Sequence, residues 1–550
     1  DPRWLALDLL AEAPALDALI THEIALAEAP ERLPALLEQA MSVLTTAGQR
    51  LWLLPALPLL AALLIPVCSS RPNLREAVTL LAAACLFLLA LGLMPVVGDT
   101  PEAQVLWHLL PGLSFALQGE ALGVLFALLA SFLWLVTAIY TIGYMRGYND
   151  GRGAAHQTRF YAAFAVAIAA TMGVALAANL FTLFVCYEIL TLSTYPLVTH
   201  AGTDAARQGG RVYLGTLLGT SIGLQFIAIV GTWLLTGSLD FQAGGLLSGE
   251  VSDGLVVLLL LLYIFGIGKA ALMPVHRWLP AAMVAPTPVS ALLHAVAVVK
   301  AGVFTVLKVL TYVVGPGFFQ GEFSPLGPWV QQLLIYLAIF SLVVASLVAL
   351  RQDNLKRRLA YSTVSQLAYI LLGGFLAHTW GLIGAAMHIA THAFGKITLF
   401  FAAGAIYIAS HKTEVSTMQG LGRRMPVTFA CFLLGSLSVI GMPLFGGFWS
   451  KWYLAYGAVE TGQWLALTVL MASSLLNIAY LLPVPIRAFS RNGNARLPVA
   501  WSLQHEAPWP CLLAMGISVV GCLLLFFWPQ GLYQLASLFA ENALAGVTVR

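Results

Sequence analysis

The sequence predicts an all-α polytopic membrane protein with about fourteen transmembrane helices, and its composition, apolar runs and loop charges all support that fold class. Of the 550 residues, 60% are hydrophobic and only 9% are charged. Soluble domains carry about 25% charged residues, so this chain has too few charges for a fully aqueous surface. We expect insertion into a bacterial inner membrane, and we expect no nucleic-acid partner.

Apolar runs long enough to span a bilayer divide the chain into three regions. We expect an acidic extension at residues 1–45, a transmembrane domain at residues 46–530 and a C-terminal tail at residues 531–550. The predicted spans cover residues 51–68, 77–97, 121–144, 160–178, 179–199, 212–236, 254–274, 289–313, 328–350, 357–377, 380–409, 427–449, 463–486 and 509–529.

Residues 1–45 differ in composition from the rest of the chain. Their acidic residues outnumber their arginines, lysine is absent, and Leu and Ala recur at helical spacing. Acidic amphipathic helices suit a protein partner better than an anionic lipid surface, so we expect this extension to dock a partner protein. Because no basic segment precedes a small-residue cleavage site, we do not expect a signal peptide.

The charges of the loops indicate how the chain is oriented. The segments after spans 1, 3, 5, 9, 11 and 13 carry arginine or lysine, as residues 351–358 do. The segments after spans 2, 6 and 8 carry acidic residues and neither lysine nor arginine. By the positive-inside rule, the first group faces the cytoplasm and both termini lie outside.

Two of the predicted spans are interrupted. Residues 266–300 contain Lys269 followed by a cluster of prolines, and residues 441–454 place Pro443 and a glycine pair before Lys451. In hydrocarbon a broken helix is tolerated only where protein or a wet cavity satisfies its backbone. Breaks at spans 7 and 12, five spans apart, predict that spans 4–8 and 9–13 are inverted repeats with an ion path at the breaks.

The distribution of lysine gives the main functional signal. The chain has seven lysines against twenty arginines, and most of the lysines fall within or at the ends of predicted spans. A buried lysine can release its proton, whereas arginine stays protonated. We predict that Lys269, Lys300 and Lys396 carry protons. The alternative, a lysine that extends from a helix end to the interface, fits Lys308.

Glu188 is the one acidic residue in the middle of a predicted span. A lone carboxylate in hydrocarbon must be neutral or paired, and Lys269 in the same predicted repeat is the natural partner. The alternative to a functional pair is a static one that holds spans 5 and 7 together.

Span 11 places His388, His392 and Lys396 at positions i, i+4 and i+8, along one helix face. Titratable groups at steps of about 6 Å predict a proton relay. Metal binding by the two histidines is the rival, but this helix has no carboxylate or thiol to complete a site. His276 and His294 flank the break in span 7 and are candidate gating residues, or else they satisfy the broken backbone.

The sequence predicts no metal, no cofactor and no redox centre within this chain. Its six cysteines include no Cys-x-x-Cys pair, and it has neither a Walker loop nor a GxGxxG motif after a strand. The sequence leaves open whether the protein is part of an enzyme. Any electron transfer is expected in other subunits.

Four stretches of the sequence resemble one family of membrane proteins: GKAALMPVHRWLPAAMVAPTPVSALLHAVAVVKAGVF, LKRRLAYSTVSQLAYILLG, HIATHAFGKITLFFAAGAIY and GMPLFGGFWSKWYL. Together they resemble the antiporter-like proton-conducting family. That family comprises membrane-arm subunits of respiratory NADH:quinone oxidoreductase, Mrp-type multisubunit sodium/proton antiporters and membrane-bound hydrogenases. The resemblance covers about residues 51–530. The amino-acid sequences of two motifs, AVAVVKAGVF and GFWSKWYL, are closest to the D-type Mrp subunit.

The resemblance implies a fold of fourteen helices with inverted five-helix repeats and a row of charges at mid-membrane. It implies an ion pair between Glu188 and Lys269, and it matches Arg211 to a basic position at the start of span 6, a further candidate gating residue. The relay residues that it implies are, in order, Glu188, Lys269, Lys300, His388, His392, Lys396 and Lys451.

Several functions fit this pattern, and the best match by motif is a subunit of a cation/proton antiporter complex. Such a subunit assembles with other membrane subunits and moves protons, with sodium left open as a second ion. The alternatives are a membrane-arm subunit of an NADH:quinone oxidoreductase or hydrogenase complex, and a channel that couples the proton-motive force to a non-redox partner such as an inorganic-carbon uptake protein. A scaffold without conduction is disfavoured by the lysine distribution.

Overall fold

A computed structural model of the chain describes residues 47–94, 97, 103–148, 154–249, 251–321, 324–490 and 505–545. The predicted docking extension at residues 1–45 therefore lies outside the described residues, as does the end of the predicted tail, residues 546–550. The described residues form a helical bundle that contains one two-stranded hairpin.

Every predicted span overlaps a helix. In chain order the main helices are α1 (Ala47–Val67), α2 (Pro72–Leu91), α3 (Ala121–Gly147), α4 (Ala154–Ala175), α5 (Leu180–Val198), α6 (Asp204–Thr236), α7 (Asp253–Gly266), α8 (Thr287–Val314), α9 (Gly327–Arg351), α10 (Leu355–Phe375), α11 (Thr379–Ser410), α12 (Pro426–Ile440), α13 (Gly447–Glu460), α14 (Trp464–Phe489), α15 (Trp509–Phe527) and α16 (Gln530–Leu544).

Eleven helices of the described part are long and apolar enough to cross a membrane, and α7 and α12 are apolar but shorter. The chain is thus an all-α polytopic membrane protein, as predicted. The two short helices are those in which the sequence predicts breaks. Their shortness follows from those breaks, because α7 ends at Gly266 and α12 at Ile440.

Protein groups satisfy the backbone at the first break. Between α7 and α8 the chain forms short 3₁₀ turns and the one-turn helix Trp278–Ala281. The indole Nε1–H of Trp278 donates to the Gly268 carbonyl at 2.9 Å, and the Met273 N–H donates to the Ser341 hydroxyl at 3.2 Å. The second break follows Gly441, whose φ of +88° favours glycine and ends α12. The inverted symmetry of the two halves stays a prediction.

One β-hairpin departs from the all-helical expectation. Strands β1 (Gln104–Leu110) and β2 (Leu113–Leu117) pair antiparallel in the segment after span 2. Pro111 and Gly112 form its turn, with φ of +72° at Gly112, a sequence typical of a type II turn. A Cβ atom at Gly112 would also overlap the Gly237 carbonyl oxygen, so the turn packs closely against the end of α6.

A packed helix, α16, lies in the region predicted to be a tail. Its Tyr533 ring contacts Tyr453 of α13, with centroids 5.5 Å apart, and its Phe539 ring lies 6.5 Å from Tyr312 of α8. Phe539 is fully buried. The C-terminal region is therefore part of the bundle at least as far as Leu544.

Candidate functional site

The lysines predicted within or near spans are all removed from solvent. Their exposed fractions are 0% for Lys269, Lys300 and Lys396, 1% for Lys308 and 8% for Lys451. Burial of an ammonium group is costly unless hydrogen-bond acceptors or counter-charges surround it. What each amine contacts therefore defines the candidate site.

Lys269 lies in the break after α7 and faces α5. Its Nζ donates to the Tyr187 carbonyl oxygen at 2.7 Å and to Thr191 Oγ1 at 2.6 Å, and it lies 3.0 Å from the centroid of the Tyr187 ring. On the other side, a Cβ atom at Gly302 of α8 would overlap the Lys269 carbonyl carbon. Glycine there lets α8 approach the break and hold the lysine backbone against α5.

The predicted ion pair between Glu188 and Lys269 is not formed, and this corrects the sequence analysis. Tyr187 and Thr191 occupy the face of α5 that meets the break, and Glu188 is turned away from it, by about 100° from Tyr187 and about 60° from Thr191. Both of its carboxylate oxygens are buried and have no hydrogen-bond partner among the described residues. Glu188 remains within electrostatic range of Lys269.

Lys300 contacts the predicted relay on α11 directly. Its Nζ lies 2.5 Å from Nδ1 of His392. The His388 and His392 rings follow one another along α11 with centroids 5.8 Å apart, close to the step predicted from their spacing. Nε2 of His392 is buried and has no hydrogen-bond partner among the described residues.

Lys396 contacts the neighbouring helix α10. Its Nζ donates to the Ser362 hydroxyl at 2.5 Å and to the Leu359 carbonyl at 3.3 Å, both on α10. Ser362 Oγ lies 2.9 Å from the Tyr480 hydroxyl of α14, which in turn donates to Asn477. Lys396 therefore begins a buried polar chain that runs beside α11.

That chain leads back to His388. Asn477 accepts from the Gln366 amide at 3.5 Å, and Gln366 Oε1 lies 3.1 Å from His388 Nε2. The other ring nitrogen of His388 lies 2.8 Å from Ser450 Oγ, which is 3.0 Å from Thr391 Oγ1. Both ring nitrogens of His388 are thus held by side chains of the bundle.

Lys451 lies beside the second break. Its Nζ donates to the carbonyl of Ile440 at 2.9 Å and to the Ser474 hydroxyl at 3.2 Å. Ile440 is the last residue of α12. It also lies 4.8 Å from the centroid of the Tyr369 ring. Each broken helix thus places a lysine amine against the polar groups of a neighbouring helix.

Lys308 is a second correction, because its ammonium group is buried in an ion pair and does not extend to solvent. Its Nζ pairs with Glu120 Oε1 at 2.6 Å, and the side chains are 1% and 15% exposed. Among the lysines that the structure describes, Lys308 alone forms an ion pair with a carboxylate. Glu120 lies just before α3, outside every predicted span. The sequence therefore offered no reason to predict it as a buried partner of a lysine.

The three candidate gating residues occupy different environments. His294 is fully buried on α8, with neither ring nitrogen hydrogen-bonded among the described residues, and it packs on Phe400 with ring centroids 4.6 Å apart. His276 is half-buried in the break, its ring 6.1 Å from that of Tyr361. Arg211 is exposed on α6 and is not brought to the buried row.

A cavity of about 210 Å³ reaches the start of α8. Tyr144, Thr287, Lys356 and Tyr407 are among its lining residues, and Lys356 Nζ donates to the Ala285 carbonyl at 2.5 Å. Thr287 lies two helical turns before His294 on α8. The cavity borders residues 351–358, which carry the cluster of cations predicted to face the cytoplasm.

Sequence analysis missed the polar side chains that connect the lysines. Ser362 and Gln366 are at positions i and i+4 of α10, and Asn477 and Tyr480 are at i and i+3 of α14, so each pair lies on one helix face. The sequence signal that could have predicted them is the helical spacing of polar residues within otherwise apolar spans. Among the described residues, no three His, Cys, Asp or Glu side chains are grouped to hold a metal ion.

Comparison with known proteins identifies relatives of the chain. Residues 177–477 match the family described as NADH:quinone oxidoreductase/Mrp antiporter, TM. The chain is 34% identical to NADH-quinone oxidoreductase subunit N of Desulforudis audaxviator over 407 residues, which are 71% of this chain and 78% of that protein. Relatives named NAD(P)H-quinone oxidoreductase chain or subunit 5 also match, and the chain spans only 55% to 63% of their length.

Solved structures share the fold. A chain of the membrane-bound sulfane sulfur reductase, an archaeal respiratory membrane complex, matches with a TM-score of 0.77 and 24% identity over 90% of this chain and 97% of that chain. A chain of the Mrp complex from Dietzia sp. DQ12-45-1b matches with a TM-score of 0.77 and 22% identity, over 91% of this chain and 98% of that chain. At these identities the likeness shows the fold alone.

Proposed function

Because the chain belongs to the NADH:quinone oxidoreductase/Mrp antiporter transmembrane family, we propose that it translocates protons as one subunit of a multisubunit membrane complex. The family inferred from the motifs is confirmed, whereas the closer likeness to the D-type Mrp subunit stays a prediction. The observation that carries the proposal is the buried series of lysines and histidines that runs between the two broken helices.

The proposed path uses four lysines and two histidines. A proton moves from Lys269 to Lys300, then through His392 along α11 to Lys396, while His388 connects α11 to the region of Lys451. Two unit charges 5.8 Å apart, the spacing of the His388 and His392 ring centroids, repel by about 3 kcal/mol at an effective dielectric constant of about 20. Protonation of one ring therefore disfavours simultaneous protonation of the other about a hundredfold, so the two rings together carry at most one excess proton.

The amides and hydroxyls around the path have different roles. Amide groups do not accept or release protons near neutral pH, so Gln366 and Asn477 hold the imidazole of His388 in place. The hydroxyls of Ser362 and Tyr480 both donate and accept hydrogen bonds. Ser362, which Tyr480 contacts in turn, keeps Lys396 hydrogen-bonded in either protonation state, which an apolar pocket would not do.

The driving force enters at Glu188 in this proposal. Its buried carboxylate lacks a hydrogen-bond partner among the described residues, so a charge supplied by a partner subunit would change its interaction with Lys269. A nearby charge is one of the factors that set the proton affinity of a buried amine. Other membrane subunits are the proposed partners, protons are the proposed cargo, and a bacterial inner membrane is the proposed location. Sodium remains a candidate second ion.

Removing lysine charges tests the proposal. The complex is reconstituted in vesicles that contain a pH-sensitive dye, and transport is compared for wild type, Lys269→Ala, Lys396→Ala and Arg207→Ala. Arg207 is the control because it is an exposed cation at the start of α6 that pairs with the exposed carboxylate of Asp204. The proposal requires loss of transport in the first two variants with the complex still assembled. Wild-type transport in both of them would refute it.

A further inference from the structure

The ion pair between Lys308 and Glu120 differs from every other lysine contact in the bundle. The 2.6 Å contact joins a lysine that is 1% exposed to a glutamate that is 15% exposed. The Lys308 ammonium also lies 3.9 Å from the centroid of the Phe241 ring and 4.6 Å from that of Tyr312. Only the carboxylate side of the pair therefore reaches towards solvent.

The pair lies at one end of α8, and the cavity described above lies at the other. Lys308 follows Lys300 by eight residues, about 12 Å along the helix. Glu120 follows the β1–β2 hairpin, in a segment without lysine or arginine that the loop charges predict to be outside. The cavity beside Lys356 borders a segment rich in cations, predicted to be inside. One helix thus connects the two faces of the membrane.

Titratable groups occupy α8 between those ends. His294 follows the cavity residue Thr287 by two turns, and it lies within electrostatic range of Lys396, Lys356 and Lys300. Both of its ring nitrogens are buried without a hydrogen-bond partner among the described residues. Buried polar groups in that state usually bind ordered water. His294, Lys300 and Lys308 therefore form a series along α8, which is long and apolar enough to cross the membrane.

We propose that Lys308 and Glu120 form the site at which the relay exchanges protons with the outer face of the membrane, an inference that rests on the proposed function. Lys308 passes its proton to Glu120, so that ammonium and carboxylate become amine and carboxylic acid. The acid then releases the proton to the outer solution, and the Lys308 amine is reprotonated from Lys300. Charge and protons balance at every step.

A static clamp between α3 and α8 is the competing explanation. Buried ion pairs contribute little to stability, and apolar residues of similar volume often replace them without loss. A clamp would therefore tolerate Lys308→Arg, which keeps the charge and the pairing, and also the charge-free double variant Glu120→Gln/Lys308→Met. An exchange site tolerates neither, because arginine does not release its proton and the double variant has no titratable group.

The test measures proton transport by the reconstituted complex for these variants and for Lys300→Arg. The expected result is an assembled complex in which Lys308→Arg and Glu120→Gln/Lys308→Met each slow transport about tenfold or more. If Lys300→Arg blocks transport while both outer variants transport normally, this inference is wrong and the proposed function stands. If Lys300→Arg itself transports normally, the lysine relay of the proposed function fails as well.

A measurement on the wild-type complex covers the case in which the variants do not assemble. A hydrophobic carbodiimide reacts with protonated carboxyl groups, and mass spectrometry locates the adduct. At an exchange site Glu120 is protonated during part of each transport cycle. We therefore expect the carbodiimide to modify Glu120 at the same rate as transport is lost. A permanently ionised clamp is not modified, and an unmodified Glu120 in an actively transporting complex would overturn the inference.

Discussion

Nζ of Lys300 and Nδ1 of His392 lie 2.5 Å apart, although the two residues belong to different predicted repeats. A hydrogen bond between an amine and an imidazole needs one lone pair, so the two groups are not both fully protonated in this geometry. A lysine ammonium can donate to a neutral imidazole, an imidazolium can donate to a neutral amine, and two neutral groups can form the same bond. The contact therefore joins α8 and α11 through two groups of which at least one is neutral.

His392→Gln separates acceptance of a hydrogen bond from titration. The glutamine carbonyl oxygen still accepts from Lys300, so we expect an assembled complex whose thermal stability changes by no more than about 1 kcal/mol. Glutamine does not take up the proton, so transport should fall by about a hundredfold. His392→Phe leaves the buried amine without its acceptor and should lower stability further, by about 1 to 3 kcal/mol. Full transport by His392→Gln would show that the imidazole passes no proton.

Gly302→Ala tests the close approach of α8 to the first break. A methyl group at this position would overlap the Lys269 carbonyl carbon and the Ala270 nitrogen, so α8 must move away. We expect a loss of about 1 to 3 kcal/mol in the free energy of unfolding, with slower transport. Gly215→Ala is the matched control, since nothing lies within 4 Å of its added Cβ atom. Equal thermal stabilities of the two variants would contradict this packing.

The predicted orientation is tested by labelling cysteines with an impermeant reagent in intact cells. His108 in the hairpin and Asp353 between α9 and α10 are both exposed. We expect His108→Cys to be labelled from outside and Asp353→Cys to be protected until the membrane is opened. The background needs Cys68 and Cys85 replaced, because these two cysteines are not buried. The opposite labelling pattern would reverse the orientation and place the Lys308–Glu120 pair at the inner face.

Deletion of residues 1–45 tests the proposed docking role. The segment is acidic and lacks lysine, so a partner with a basic groove is expected. Copurification should lose one or more partner subunits, while the thermal unfolding of the transmembrane domain stays unchanged. If the truncated chain retained its full set of partners, the docking proposal would be refuted.

The sequence predicted the fold better than it predicted the contacts within the site. Spans and breaks follow from local hydropathy and proline, so α7 and α12 are interrupted as predicted, although they end at Gly266 and Ile440, before the predicted ends of spans 7 and 12. The partner of Lys269 depends on which face of α5 meets the break. That face is set by tertiary packing, and it presents Tyr187 and Thr191 instead of Glu188. Glu120 belongs to a loop in the sequence, and only the packing of α3 against α8 brings it to Lys308.

Lys300→Arg gives the most direct test of the central claim, that a buried lysine releases its proton during transport. Arginine keeps the positive charge and still donates to His392, although its larger planar group introduces some strain. Since it retains its proton at any accessible pH, a relay through this position stops. The account predicts an assembled complex, checked by copurification of its partners, with little proton transport into dye-loaded vesicles. Wild-type transport by assembled Lys300→Arg complexes would contradict it.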